Sequence, residues 1–192
     1  MLSSILEQFT NAWNEFKKLY NETSEKYGHH GYDKNKKSSD PRPHFWSEQD
    51  IVLHLSFLLQ KEFGRYWVHN ELSLANHTFQ DFDSKTKEYV DIVISDPDRY
   101  ADNWRKTHDA FVEVKWITRG KIYNDYRRWR QNSEKDCAKL KTQLSKNRCK
   151  NAYLCIVDDA PSESGITKEL GETWEIKYSP VKVFLLQMSQ QS

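Results

Sequence analysis

The chain predicts an α/β fold, a mixed β-sheet flanked by helices, and three observations predict it. Apolar residues recur at three- and four-residue steps over residues 1–27 and again after Ser47. Short segments rich in Val, Ile and aromatics follow, each bounded by turn residues. A long helical stretch then interrupts those segments, so strands and helices share one layered core.

The elements read in order as follows. Leu2, Ile5, Leu6, Phe9, Trp13, Phe16 and Tyr20 make one face of a first helix, and Glu7, Asn11, Glu15 and Lys18 make the other. That face docks on the chain's own core or serves a partner. Residues 28–44 are polar, with Gly, Pro, Ser and Lys, and read as a loop. His29, His30 and Asp33 lie in it; adjacent histidines in a polar loop are usually exposed, and a ligand role is the lesser reading. A second helix starts at Ser47, a good N-cap with Asp50 in the first turn, and buries Val52, Leu55 and Leu59. Strands are expected over 65–74, 88–95 and 109–117, a helix over 124–144, a strand over 151–157 and a last strand over 181–188. The helix buries Tyr126, Trp129, Cys137, Leu140 and Leu144, and 158–175 reads as an acidic loop.

At 192 residues the chain is one domain with an appendage. Residues 1–45 form the N-terminal helix and polar loop packed on a core domain of 46–192. A chain of this size hides roughly 70% of its unfolded surface without needing disulfides. Aromatics at 14% argue against wholesale disorder, despite a mean hydropathy of -0.91. The longest apolar run, 51–59, is broken by His54 and Ser56 and is too short to span a bilayer. Glu7 and the lack of a basic leading segment do not fit a signal peptide. Cys137, Cys149 and Cys155 are odd in number and lack CxxC spacing, which fits a cytoplasmic protein and gives no zinc site.

The net charge of +1 conceals an asymmetry. Residues 115–150 hold twelve basic side chains against three acidic ones, a local charge of +9 that leaves −8 for the rest. One positive face would attract a phosphate backbone. The plainer reading is a solvated helix surface.

Charges set inside two hydrophobic strands carry the chemistry. They are Asp91 in Tyr89-Val90-Asp91-Ile92-Val93-Ile94 and Glu113 with Lys115 in Phe111-Val112-Glu113-Val114-Lys115-Trp116. Alternation points Glu113 and Lys115 to one face, and Val112, Val114 and Trp116 to the other. A hairpin centred near Asp102 sets Asp91 opposite Glu113, with Cβ atoms roughly 4.5–5.5 Å apart. Two carboxylates that close repel, and a divalent cation between them removes the penalty. Oxygen ligands with room for waters and phosphate suit magnesium. Glu48 adds a third acid on the apolar side of its helix, in the turn before Val52 and Leu55.

This arrangement resembles the PD-(D/E)xK nuclease superfamily, with its restriction-endonuclease-like core of order α-β-β-β-α-β, here carrying an additional N-terminal helix. The resemblance covers about 46–188 and rests on order, spacing and strand context. It implies that Glu48 is the helix acid, Asp91 the strand acid, Glu113 the second acid and Lys115 the catalytic lysine, with the Val114 carbonyl a further metal ligand. Asp91 follows Val90 where the family motif has proline. A literal Pro97-Asp98 exists, but Pro97 marks a strand end and Asp98 would fall in the connection, so Asp91 is preferred. The implied activity is Mg²⁺-dependent hydrolysis of phosphodiester bonds, with Mn²⁺ able to substitute and no organic cofactor. DNA is favoured because it is the family's commonest substrate. An RNase, or a non-catalytic nucleic-acid-binding subunit on the same fold, is the alternative. Arg119, Lys121, Arg127, Arg128 and Arg130, on a loop and helix start, and Lys139 further on, would hold phosphates, with Tyr123, Tyr126 and Trp129 interleaved. Residues 76–87 and 158–175 would serve any sequence reading. A homodimer is possible, with the first helix a candidate interface.

Overall fold

The computed structural model describes residues 4–27, 45, 47–64, 66–73, 89–98, 108–117, 119–159 and 175–187; the side chains of 27, 71–73, 119–129, 175 and 176 lie outside that description. It is a mixed α/β structure with a five-stranded sheet and three long helices. The expectations for His29, His30 and Asp33, and for residues 76–87 and 160–174, fall outside the described residues.

Helix α1 spans Ile5–Tyr27. The Ser4 hydroxyl accepts the Glu7 N–H and so caps it. Phe9, Trp13, Phe16 and Tyr20 are buried as the spacing requires, so the helix docks on its own sheet. Phe9 stacks on Tyr153 at 4.2 Å between ring centroids. Truncating such a ring typically costs about 3–5 kcal/mol. Helix α2 spans Glu48–Phe63 behind a capping box in which the Ser47 hydroxyl accepts the Asp50 N–H and the Asp50 carboxylate accepts the Ser47 N–H. Gly64, at φ +55, ends it in a conformation that side chains avoid.

Strands β1 (Trp67–Ser73), β2 (Tyr89–Ser95) and β3 (His108–Ile117) form an antiparallel meander. Helix α3 (Arg119–Ser145) is the crossover to β4 (Cys149–Asp158), which lies parallel to β3. A single turn, α4 (Glu175–Tyr178), precedes β5 (Lys182–Gln187), parallel to β4. Strand order is β1-β2-β3-β4-β5. No helix among the described residues is long and apolar enough to cross a membrane.

Two clusters fill the two faces of the sheet. Ile92, Val112, Val114, Trp116 and Tyr153 pack with α1 and α2. Val93, Phe111, Leu154 and Ile156 pack with Cys137 and Leu140 of α3. This is the alternation expected for β3, and it sends Glu113 and Lys115 toward the α3 side.

Two differences from the expected boundaries bear on the site. Helix α3 begins at Arg119, so Arg119 and Lys121 are helical and not in a loop. Gly120 resembles a break, yet glycine costs only about 1 kcal/mol in a helix, which a long docked helix offsets. Asp158 closes β4, where an acidic loop was expected, because its backbone pairs with Ile117 of β3 and Gln187 of β5.

Candidate active site

The site forms where β2 parts from β3, its first residues staying paired with β1. The paired residues Ile94↔Ala110, Val93↔Phe111 and Ile92↔Val112 set a register whose next step puts Asp91 opposite Glu113, as the hairpin centre predicts. The ladder ends at that step. Beyond it, β3 exposes N–H groups toward the edge that β2 no longer covers, and buried N–H groups demand acceptors. Two carboxylates take them. The Val114 N–H donates to Asp91 Oδ2 at 2.7 Å, and the Trp116 N–H donates to Glu48 Oε2 at 3.0 Å. A strand residue sends its N–H and C=O to the same edge, so the Val114 carbonyl faces the Asp91 side.

Glu48 reaches this edge because it is the first residue of α2, held there by the Ser47 cap. The far end of β3 is tied to α1. The Tyr20 hydroxyl donates to Asp159 Oδ1 at 2.6 Å, and the Trp116 indole N–H lies 2.9 Å from Asp159 Oδ2 and from the Tyr20 oxygen. Burial, reinforced by Asp159, holds the Tyr20 hydroxyl far above its ordinary value, so it remains a donor.

Five charged side chains meet beside β3. Lys115 Nζ lies 3.0 Å from Asp136 Oδ2 and 3.8 Å from Glu48 Oε1. Lys139 Nζ lies 2.6 Å from Glu113 Oε1 and 3.4 Å from Asp136 Oδ1, and donates to the Tyr89 carbonyl at 2.8 Å. The sequence thus yields a chain of alternating sign, Glu48, Lys115, Asp136, Lys139 and Glu113.

Glu113 is the strained member. It is 2% exposed, and burial pushes its carboxyl up to about 8, with Asp91 and Asp136 adding repulsion and Lys139 opposing. Its Oε1 lies 2.6 Å from the Lys139 ammonium, which is its counter-charge. Lys115 behaves oppositely. Burial disfavours its charge, but Glu48, Asp136 and Asp91 outweigh burial and raise it above the ordinary lysine value. Lys139 is raised for the same reason, by Glu113 and Asp136 against burial.

Among the described residues, no three His, Cys, Asp or Glu side chains converge as a metal cage. Two ammonium groups stand among the carboxylates instead. The chemistry of the donor set nevertheless fits a hard divalent cation: Asp91, Glu113, Glu48 and the Val114 carbonyl offer only oxygen, and the buried Glu113 Oε1 already holds a cationic group, the Lys139 ammonium.

Glu48, Asp91, Glu113 and Lys115 are therefore gathered at one strand end. Asp98 lies beyond the end of β2, its N–H donating to Asp96 Oδ1 and not to the cluster. Lys139, expected among the phosphate-binding cations, sits inside the cluster. Arg130 is exposed on α3 and lies 3.7 Å from Glu134. The side chains of Arg119, Lys121, Arg127 and Arg128, and of Tyr123, Tyr126 and Trp129, lie outside the described residues. Gln143 is buried and accepts from Arg148, so it has a structural role. Asp136 is the member of the charged cluster that the sequence reading missed. Its signal was an acid inside a basic block, three residues before Lys139 on one helix face. No family model, no curated protein and no solved structure matches the chain.

Proposed function

We propose that the protein is a Mg²⁺-dependent nuclease of the PD-(D/E)xK type, a DNA endonuclease that hydrolyses phosphodiester bonds. One observation carries the reading: Glu48, Asp91, Glu113 and Lys115 share the end of β3 that β2 leaves uncovered. The order α2-β1-β2-β3-α3-β4 supports it, since a restriction-endonuclease-like core has that order.

Asp91, Glu113, the Val114 carbonyl and Glu48 would hold the cation. When bound, Mg²⁺ or Mn²⁺ supplies Lewis acidity, acidifying a water and screening the phosphate charge. The Asp91 and Glu48 carboxylates are oriented by backbone N–H groups of a central strand, so little reorganisation accompanies the reaction. Lys115 stays an ammonium, so it donates hydrogen bonds to the nucleophile or a phosphate oxygen and stabilises the charge that builds there. Substrate capture falls to α3. Residues 119–130 follow β3 directly and lead along the helix to Asp136, so its basic N-terminal part begins within about 14 Å of Lys115. Phosphate contacts along it make binding weaken steeply with salt.

Incubation of plasmid, linear, single-stranded and branched DNA and of RNA, with and without Mg²⁺, tests the proposal. Wild type is expected to cut DNA only with Mg²⁺, and Lys115→Ala to lose about 100-fold or more in rate while keeping DNA affinity. Cleavage that survives Lys115→Ala would overturn the assignment. A second reading draws on both lysines being neutralised by acids, which suits a non-catalytic nucleic-acid-binding subunit. Salt-sensitive binding without cleavage of any substrate would select it.

A further inference from the structure

The position of Lys139 carries information beyond a general positive charge. Its ammonium has three donors, and three oxygens surround it: Glu113 Oε1 at 2.6 Å, the Tyr89 carbonyl at 2.8 Å and Asp136 Oδ1 at 3.4 Å. It therefore sits where a small hard cation between Glu113 and the end of β2 would sit. An oxygen that carries an ammonium at 2.6 Å cannot also accept a divalent cation without displacing it, because the two cations repel. The displaced group has a place to go. Asp136 lies three residues earlier on the same helix, and its other oxygen already holds Lys115 at 3.0 Å.

We infer that Lys139 is an internal counter-ion of the metal-free site: its ammonium holds Glu113 until a divalent cation takes that oxygen, and it then withdraws to Asp136. The inference rests on the cation-binding part of the proposed function. It makes Lys139 a positioning residue, one that keeps a buried carboxylate compensated and in place before loading. Metal binding is then an exchange of one cation for another and not an addition to an empty pocket. Removing the ammonium removes the competitor, so a neutral residue at 139 tightens metal binding.

Calorimetric titration of Mn²⁺ into the full chain tests this, with wild type, Lys139→Gln, Lys139→Arg and Glu113→Gln compared. Lys139→Gln is expected to bind about tenfold more tightly or better, Lys139→Arg to stay close to wild type, and Glu113→Gln to lose binding. Equal affinity in wild type and Lys139→Gln would overturn the inference and leave the nuclease reading intact. No Mn²⁺ binding by wild type or by Lys139→Gln would overturn both. Should Lys139→Gln fail to fold, amine labelling of wild type, read by mass spectrometry, decides the matter. Lys139 is expected to be protected without Mn²⁺ and labelled at saturation. Labelling of Lys139 that is the same in both conditions would overturn the inference.

Discussion

Strand β3 buries two acids on the same face, and they are held in opposite ways. Asp109, near its start, is 3% exposed, and its carboxylate accepts the Asp96 N–H at 2.8 Å and pairs with Lys150 at 3.0 Å. Glu113, two repeats of the pleat further on, is 2% exposed, has the Lys139 ammonium 2.6 Å from its Oε1 and faces the like charges of Asp91 and Asp136. The first acid is structural: its bonds tie the β2–β3 connection and the start of β4 to the sheet. The second is costly to ionise where it stands, and a fold gains nothing from that cost unless the group performs a task. The contrast teaches that burial alone does not single out a candidate acid; a buried carboxyl crowded by other carboxylates, with a lysine ammonium as its counter-charge, does.

The largest expected effect breaks the comparison at the level of chemistry. Asp91→Asn or Glu113→Gln should lower Mg²⁺-dependent cleavage by about 100-fold or more, whereas Asp109→Asn should leave the rate of the folded fraction unchanged. Single-turnover kinetics on one DNA substrate would check both.

Stability against pH sharpens the comparison. Burial pushes the Glu113 carboxyl up to about 8, against an ordinary value of 4.5. Between those values the folded state binds more protons than the unfolded state, so stability falls as pH rises. The contribution is complete below 4.5 and gone above 8. For the metal-free protein this amounts to a loss on the order of 2–5 kcal/mol, which Glu113→Gln should flatten. Chemical denaturation at several pH values would measure it. Asp109→Asn should instead destabilise at neutral pH by about 1–3 kcal/mol, because it weakens a charge-assisted bond to a buried N–H.

Smaller effects test the scaffold that aims the acids. Glu48→Ala leaves the Trp116 N–H without its acceptor and should cost about 1–2 kcal/mol in addition to its effect on cleavage. Ser47→Ala removes the cap that sets the start of α2 and should cost about 1 kcal/mol, read as a shift in denaturation midpoint.

Much of this was legible in the chain because it is written locally. Alternation in 109–117 separates Glu113 and Lys115 from Val114 and Trp116, and the hairpin centre fixes Asp91 opposite Glu113. The Ser47 cap and the apolar spacing after it aim Glu48 inward. What stayed hidden depends on helix docking. Whether Asp136 and Lys139 look at solvent or at β3 is decided by the rotation of α3, which Cys137 and Leu140 set through their packing on the sheet. A charge count over 115–150 cannot reveal it. The start of α3 was hidden for a different reason: the five residues before the expected start at 124 include Gly120, a poor helix former, and only the rest of a long helix carries them into it.

The account depends on the acids at the end of β3 being a divalent cation site. Calorimetric titration of Mn²⁺ into wild type and Asp91→Asn, with both shown folded by circular dichroism, tests that most directly. Saturable binding by wild type that disappears in Asp91→Asn is the predicted result. Identical isotherms for the two proteins, or none for either, would contradict it.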